Sequence, residues 1–201
     1  MPYIVSQKRR HSDLRSYPDQ LTLSAGAAGI EAGSISDCSV LSIEDLYQLG
    51  EPVVADCIEA ELACCVAIID IDRLFRVSET HGSECADHVL SEFGESLLRL
   101  TADLYACVAH LGQDQFGLLL VGMDVAMVTG RLDRLRQDLA SRPIGWKGEM
   151  INITVSIGIA EIHGPETFDN YLNAAEQFLF IAKMSGRNQV ISDHTFAAAI
   201  H

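Results

Sequence analysis

The hydrophobic pattern of this chain changes period several times, and each change marks an element. Cys64 to Asp70 is a continuous apolar run ending on an acid, which predicts a strand buried on both faces. From Glu84 to Thr101, Ala86, Val89, Leu90, Phe93, Leu97, Leu98 and Leu100 recur at helical spacing. Ala106–Leu111 and Phe116–Val121 read as short strands joined by the turn Gly112–Gln115, a hairpin with an acid at its tip. Met123–Ser141 predicts an amphipathic helix with Arg131, Arg134 and Arg136 outward. Glu149–Ile162 predicts a strand, preceded by a short hairpin around Gly145-Trp146-Lys147-Gly148. Tyr171–Met184 predicts a helix closed by Gly186, and Gln189–Ser192 a final edge strand.

Upstream the text differs. Ser24-Ala25-Gly26-Ala27-Ala28-Gly29 and Ala32-Gly33-Ser34 are small-residue linker sequence, so residues 1–41 are expected to form a flexible tail. Order is expected from Ser42-Ile43-Glu44-Asp45, a capping-box signal, and the domain to run over 42–201. A helical segment follows toward Leu62, expected to be broken at Gly50 and Pro52. The element order is βαββαβ with an extra helix and strand. It predicts an α+β fold, a central, mainly antiparallel sheet flanked by helices. No internal repeat is visible.

Composition narrows the function. A chain of 201 residues suits one cored domain with an appendage. Its net charge of −14 argues against a nucleic-acid surface, which needs cationic patches. The basic cluster Lys8-Arg9-Arg10 with Arg15 reads as a solvated tail, or else as a docking segment for an acidic partner. No apolar run reaches membrane-span length and the N-terminus is not of signal type, so a cytoplasmic location is expected. The six cysteines form no CxxC pair, and Cys64, Cys65 and Cys107 fall in predicted strands, where they serve as small core residues.

The candidate chemistry lies at strand ends. Asp70 and Asp72 close the first strand, and Asp114 sits on the hairpin tip. If the strands are neighbours, Asp70, the Ile71 carbonyl and Asp114 can meet around one hard cation. Acids at strand ends also serve as turn formers and helix caps, and on spacing alone that plainer account is the better one. Lys183 and Arg187, four apart at a helix end, can clamp phosphate oxygens or simply compensate the helix dipole.

The combination weighs more than its parts. Asp70-Ile71-Asp72, Gly82, Asp87-His88-Val89-Leu90, Gly112-x-Asp114-x-Phe116, Thr154 to Ala160, Ala182-Lys183 and Gly186-Arg187-Asn188 occur in that order. The chain from about Ser42 to Ser192 thereby resembles the GGDEF family, the diguanylate cyclases of bacterial cyclic-di-GMP signalling. Glu44 to Leu49 is similar to a weak relic of the family's opening motif. The resemblance implies a palm-like sheet of the nucleotide-cyclase type. It also implies a reaction that joins two GTP molecules held on facing domains, with Mg²⁺ neutralising the phosphates.

Residue by residue, the resemblance implies metal ligation by Asp70, the Ile71 carbonyl and Asp114. It places Ser78, Asp87, Gly112, Gln113, Lys183 and Arg187 around the nucleotide. Lys183 and Arg187 match the phosphate contacts, and Asp87 one of two guanine-reading positions. The departures are as informative. Gln113 replaces a glycine where the nucleotide comes close to the backbone, and neutral Gln115 replaces the catalytic glutamate. Phe75 stands at a phosphate-binding lysine, Ser78 at the guanine-reading asparagine, and Arg73 and Leu74 break an aromatic pattern. Asp103 and Ala106 occupy the R-x-x-D of the inhibitory cyclic-di-GMP site, which is therefore expected to be absent.

The expectation is a catalytically silent GGDEF-like domain that regulates or binds a signalling protein, with Mg²⁺–GTP binding by the half-site left open. The tail of about 40 residues is expected to be too short and polar to pair two active sites. Two alternatives stand beside this reading. One is a weak diguanylate cyclase or nucleotide hydrolase. The other is the GGDEF portion of a longer protein with a cyclic-di-GMP phosphodiesterase domain.

Overall fold

A computed structural model describes residues 39–195. The expected tail therefore lies almost wholly outside the described residues, as does Cys38. The order is α1 (Ile43–Glu59), β1 (Cys64–Ile71), α2 (Leu74–His81), α3 (Ser83–Thr101), β2 (Tyr105–Gly112) and β3 (Gln115–Val121). It continues with α4 (Val125–Ser141), β4 (Ile144–Trp146), β5 (Glu149–Ile151), β6 (Val155–Glu161), α5 (Phe168–Met184) and β7 (Val190–Ser192).

Five strands form one sheet in the order β2-β3-β1-β6-β7, and β4 and β5 pair separately. All pairings in the main sheet are antiparallel except β6 with β7, which is parallel. The expected α+β layering is observed. β1 is central, and all eight of its residues are buried. Side chains alternate along it, so Cys65, Ala67, Ile69 and Ile71 enter the core under α3 and α4. Cys64, Val66 and Ile68 enter the opposite core, under α1 and α5. Two covered faces explain the unbroken apolar run. The five described cysteines are buried and unpaired. Burial pushes the Cys107 thiol up to about 11, as befits a core residue.

Several elements differ from the pattern-based expectation. α1 is continuous through Gly50 and Pro52. Gly50 is a packing residue: a Cβ there would overlap the ring of Phe168, which is almost wholly buried on α5. The capping box is present, with Ser42 Oγ accepting from the Asp45 amide at 3.1 Å. α2 escaped the pattern because it has eight residues and buries only Leu74. The predicted strand 149–162 is two strands, β5 and β6, since Asn152 to Thr154 leave the ladder. Thr154 instead accepts from the Asp72 amide and donates its hydroxyl to the Asp72 carboxylate. α5 begins three residues early, where Thr167 caps it and Glu51 accepts from the Phe168 amide at 2.7 Å. Arg136 points inward rather than outward, donating to Asn188 Oδ1 at 3.0 Å.

Gly158 fixes how close α5 lies to the sheet. A Cβ there would land on the Ala175 carbonyl oxygen and the Leu179 amide nitrogen. Among the described residues, no helix is long and apolar enough to cross a membrane.

Candidate functional site

The chemistry gathers at one end of the sheet, where β1 finishes and its two neighbours begin. Antiparallel register sets Asp70 between Gln115 of β3 and Ser156 of β6. Two residues on, Asp72 points to the same side, beneath the C-terminus of α5. That helix ends in a Schellman arrangement. Gly186 takes φ +113°, and the Arg187 amide returns to the Ala182 carbonyl at 3.0 Å. The turn aims the last helical turn and the following loop at the two acids.

Asp70 is held by side chains. Lys183 Nζ lies 2.5 Å from its Oδ2, and the Gln115 amide donates to the same oxygen at 3.4 Å. The Asp70 side chain is only 4% exposed and Lys183 28%. Burial raises the Asp70 carboxyl above its ordinary range, the Lys183 hydrogen bond opposes that, and the nearby Asp114 charge adds to it. Asp114 is half-buried, and its carbonyl accepts from the Ile71 amide at 3.0 Å, tying the hairpin tip to the end of β1.

Asp72 is held differently. It accepts from Thr154 Oγ1 and Ser156 Oγ, each at 2.7 Å, and from the Asn188 amide at 3.0 Å. Arg187 Nε stands 4.0 Å away. A buried carboxylate with this many donors is a structural anchor. It fixes residues 187 and 188, both in the left-handed region at φ +67° and +48°.

The hairpin tip has its own geometry. β2 bulges between His110 and Gly112. Gly112 takes φ +107° and Gln113 φ +53°. A glycine suits such a conformation and a glutamine is strained in it.

Against this geometry, the family described as "Diguanylate cyclase, GGDEF domain" matches residues 51–189, more than half of the chain. The chain belongs to the GGDEF domain family. It is 34% identical over 127 residues to "Diguanylate cyclase DgcP" of Pseudomonas aeruginosa, which covers 62% of this chain and 18% of that protein. It is 30% identical over 129 residues to "Response regulator PleD" of Caulobacter vibrioides, covering 62% and 28%. The chain thus spans less than a third of the length of these relatives. Among solved structures, the GGDEF domain of DgcB from Caulobacter crescentus, in complex with c-di-GMP, superposes with a TM-score of 0.73. That match has 24% identity and covers 76% of this chain and 91% of the other. Diguanylate cyclase SiaD of Pseudomonas aeruginosa, in complex with its activator SiaC, gives 0.73 at 22% identity, covering 90% and 70%. These likenesses establish the GGDEF fold.

In this GGDEF domain the structure brings together Asp70, Ile71, Asp114, Gln115 and Lys183, with Arg187 beside Asp72. Ser78, half-buried on α2, and Asp87, exposed on α3, take no part in that hydrogen-bonded cluster. Phe75 is 70% exposed in the first turn of α2. Asp103 pairs with Arg131 at 3.6 Å, so the acid standing at the family's arginine position is engaged with a cation of its own chain. Among the described residues, no group of three or more His, Cys, Asp or Glu side chains is placed to hold a metal ion.

Sequence reasoning missed two roles. Thr154, Ser156 and Asn188 serve Asp72. The available signal was alternation: Ser156 on β6 and Thr154, just before it, lie two apart opposite 70 and 72. The second is Gln115, which does more than remove a charge, because it donates to Asp70.

Proposed function

We propose that this GGDEF domain does not run the cyclase reaction and acts in cyclic-di-GMP signalling as a regulatory, protein-binding module of the cytoplasm. One observation carries the reading. One oxygen of Asp70, Oδ2, accepts from Lys183, and Gln115 turns a hydrogen-bond donor toward the same oxygen. A hard cation is bound by anionic and carbonyl oxygens, and two-metal phosphate chemistry needs several carboxylates in reach. Here a glutamine stands in place of one, and an ammonium neutralises another. The second acid at this strand end, Asp72, is tied up as a scaffold by its own hydrogen bonds. Losing one charged active-site contact typically costs about two or more decades in rate, and several have changed together. The likeness to a cyclase crystallised with an activator protein supports a protein-docking role for this fold.

A second reading retains Mg²⁺–GTP binding without turnover. It is favoured by the meeting of Asp70, Asp114, Lys183 and Arg187 at one sheet end. Magnesium would neutralise phosphate charge there. For that, Lys183 must release Asp70 and turn to a phosphate, while Asp70, Asp114 and the Ile71 carbonyl face the cation.

Incubation of the full chain with Mg²⁺ and GTP, followed by mass spectrometry, is expected to give no cyclic-di-GMP. Accumulating product would overturn the silent reading. Thermal melting with and without Mg²⁺–GTP separates the two readings, since a ligand bound only to the folded state raises its midpoint. A rise abolished by Asp70→Ala supports the second, and no rise at millimolar GTP leaves protein binding alone.

A further inference from the structure

We propose that the sheet end bearing Asp70 and Lys183 is a docking surface for an acidic, partly apolar segment of a partner protein. This rests on the silent, protein-binding reading above and assigns it a surface and a partner chemistry. The two most exposed large apolar side chains among the described residues both lie here: Met184 at 71% and Phe75 at 70%. Phe75 is in the first turn of α2, three residues beyond Asp72, and Met184 ends α5. Phe180, 63% exposed, is on the same ridge of α5, so Phe180 and Met184 flank Lys183 at helical spacing. Large apolar side chains left in water together at one end of the sheet mark an interaction site.

The charge around these residues selects the partner. The chain as a whole carries −14. Yet Arg73, Arg76 and Arg187 are exposed at this end, with Lys183 half-buried beside them. The carboxylates here are turned inward: Asp70 and Asp72 are 4% and 3% exposed and hydrogen-bonded. Asp114 is half-buried, and Glu79 lies one turn further along α2. The outward face is therefore apolar with a cationic rim, on a chain whose net charge is −14. A second copy meeting it about a two-fold axis would set these cations against themselves. A nucleotide would satisfy the cations but leave Phe75, Phe180 and Met184 unpaired. A segment combining carboxylates with aromatic or aliphatic side chains satisfies both.

The test is selection from a displayed library of random peptides of about 16 residues on the full chain, a length that permits a helix or strand to dock. Enriched peptides are expected to combine Asp or Glu with large apolar residues. One of them, synthesised, is expected to lose at least about tenfold in affinity to Phe75→Ser/Met184→Ser and, separately, to Arg76→Glu. Met150→Ser, at an exposed methionine on β5, is expected to leave affinity unchanged. All three changes are at exposed positions, and circular dichroism checks their folding. Enrichment of basic or uncharged peptides, of none, or binding indifferent to the first two variants overturns the proposal. Enrichment of peptides that bind elsewhere removes this surface and leaves the silent reading standing. Cyclic-di-GMP formed from Mg²⁺–GTP by the same preparation removes the silent reading itself.

Discussion

Replacing Lys183 by methionine isolates the interaction that closes the metal position. The substitution keeps the length and apolar stem of the side chain and removes the ammonium that sits 2.5 Å from Asp70. Breaking a buried ion pair from one side costs about 3–5 kcal/mol, because the remaining charge is left uncompensated. Lys183 is 28% exposed, and Asp70 can relieve itself by taking up a proton, so the cost falls at or below the lower end of that scale. We expect about 2–3 kcal/mol at neutral pH, a fall in melting temperature of about 5–10 °C for a domain of this size. The loss depends on pH in a definite sense. The Asp70 carboxyl is already raised, chiefly by burial, and Lys183 holds it down. Without Lys183 it rises further. A carboxyl raised in the folded state binds its proton more tightly there than in the unfolded chain. Its stabilising contribution is full below the unfolded value and is lost as pH rises through the folded one. The variant therefore recovers stability, relative to wild type, as pH is lowered from about 7 to about 5. Asp70→Asn/Lys183→Met removes the stranded charge and is expected to recover most of the loss at neutral pH. The assay is urea denaturation at both pH values. A single-variant loss below about 0.5 kcal/mol, an equal loss at both pH values, or no recovery in the double variant would refute the reasoning.

Three further outcomes follow from particular contacts. Asp72→Ala strands the buried hydroxyl of Ser156 and frees the Asn188 amide, with an expected cost of about 2–4 kcal/mol and faster amide exchange at residues 186–189. Unchanged exchange there would show that Asp72 does not anchor the loop. Gly158→Ala drives a methyl group into the backbone of α5, where no side chain can move aside, and is expected to cost about 3 kcal/mol by the shift in urea midpoint. A midpoint equal to wild type would contradict the close approach. Asp114→Asn removes a neighbouring charge that raises Asp70, so the carboxyl carbon of Asp70 should titrate at lower pH than in wild type, followed by NMR. An upward shift would place Asp114 outside the electrostatic reach of Asp70.

The sheet and most of the helices were legible because their cause is local or periodic. β1 reads as one apolar run since it is covered on both faces, and the capping box at Ser42 is a contact across three residues. The ordered motifs from Asp70 to Asn188 identified the GGDEF family, and the letters at 113 and 115 marked its departures. What the sequence could not decide was set by contacts distant along the chain. Gly50 reads as a helix breaker until Phe168, over a hundred residues away, is seen in the space its missing side chain leaves. Positions 152–154 read as strand, but they lie outside the ladder, and the Thr154 hydroxyl is spent on Asp72, a partner 82 residues away. Lys183 reads as a phosphate clamp, yet it lies on Asp70, a partner 113 residues away in sequence, and Gln115 donates to the same oxygen. A linear pattern reports which groups are present. Which carboxylate they neutralise depends on how α5 and the hairpin meet the end of β1, and only the packed fold sets that.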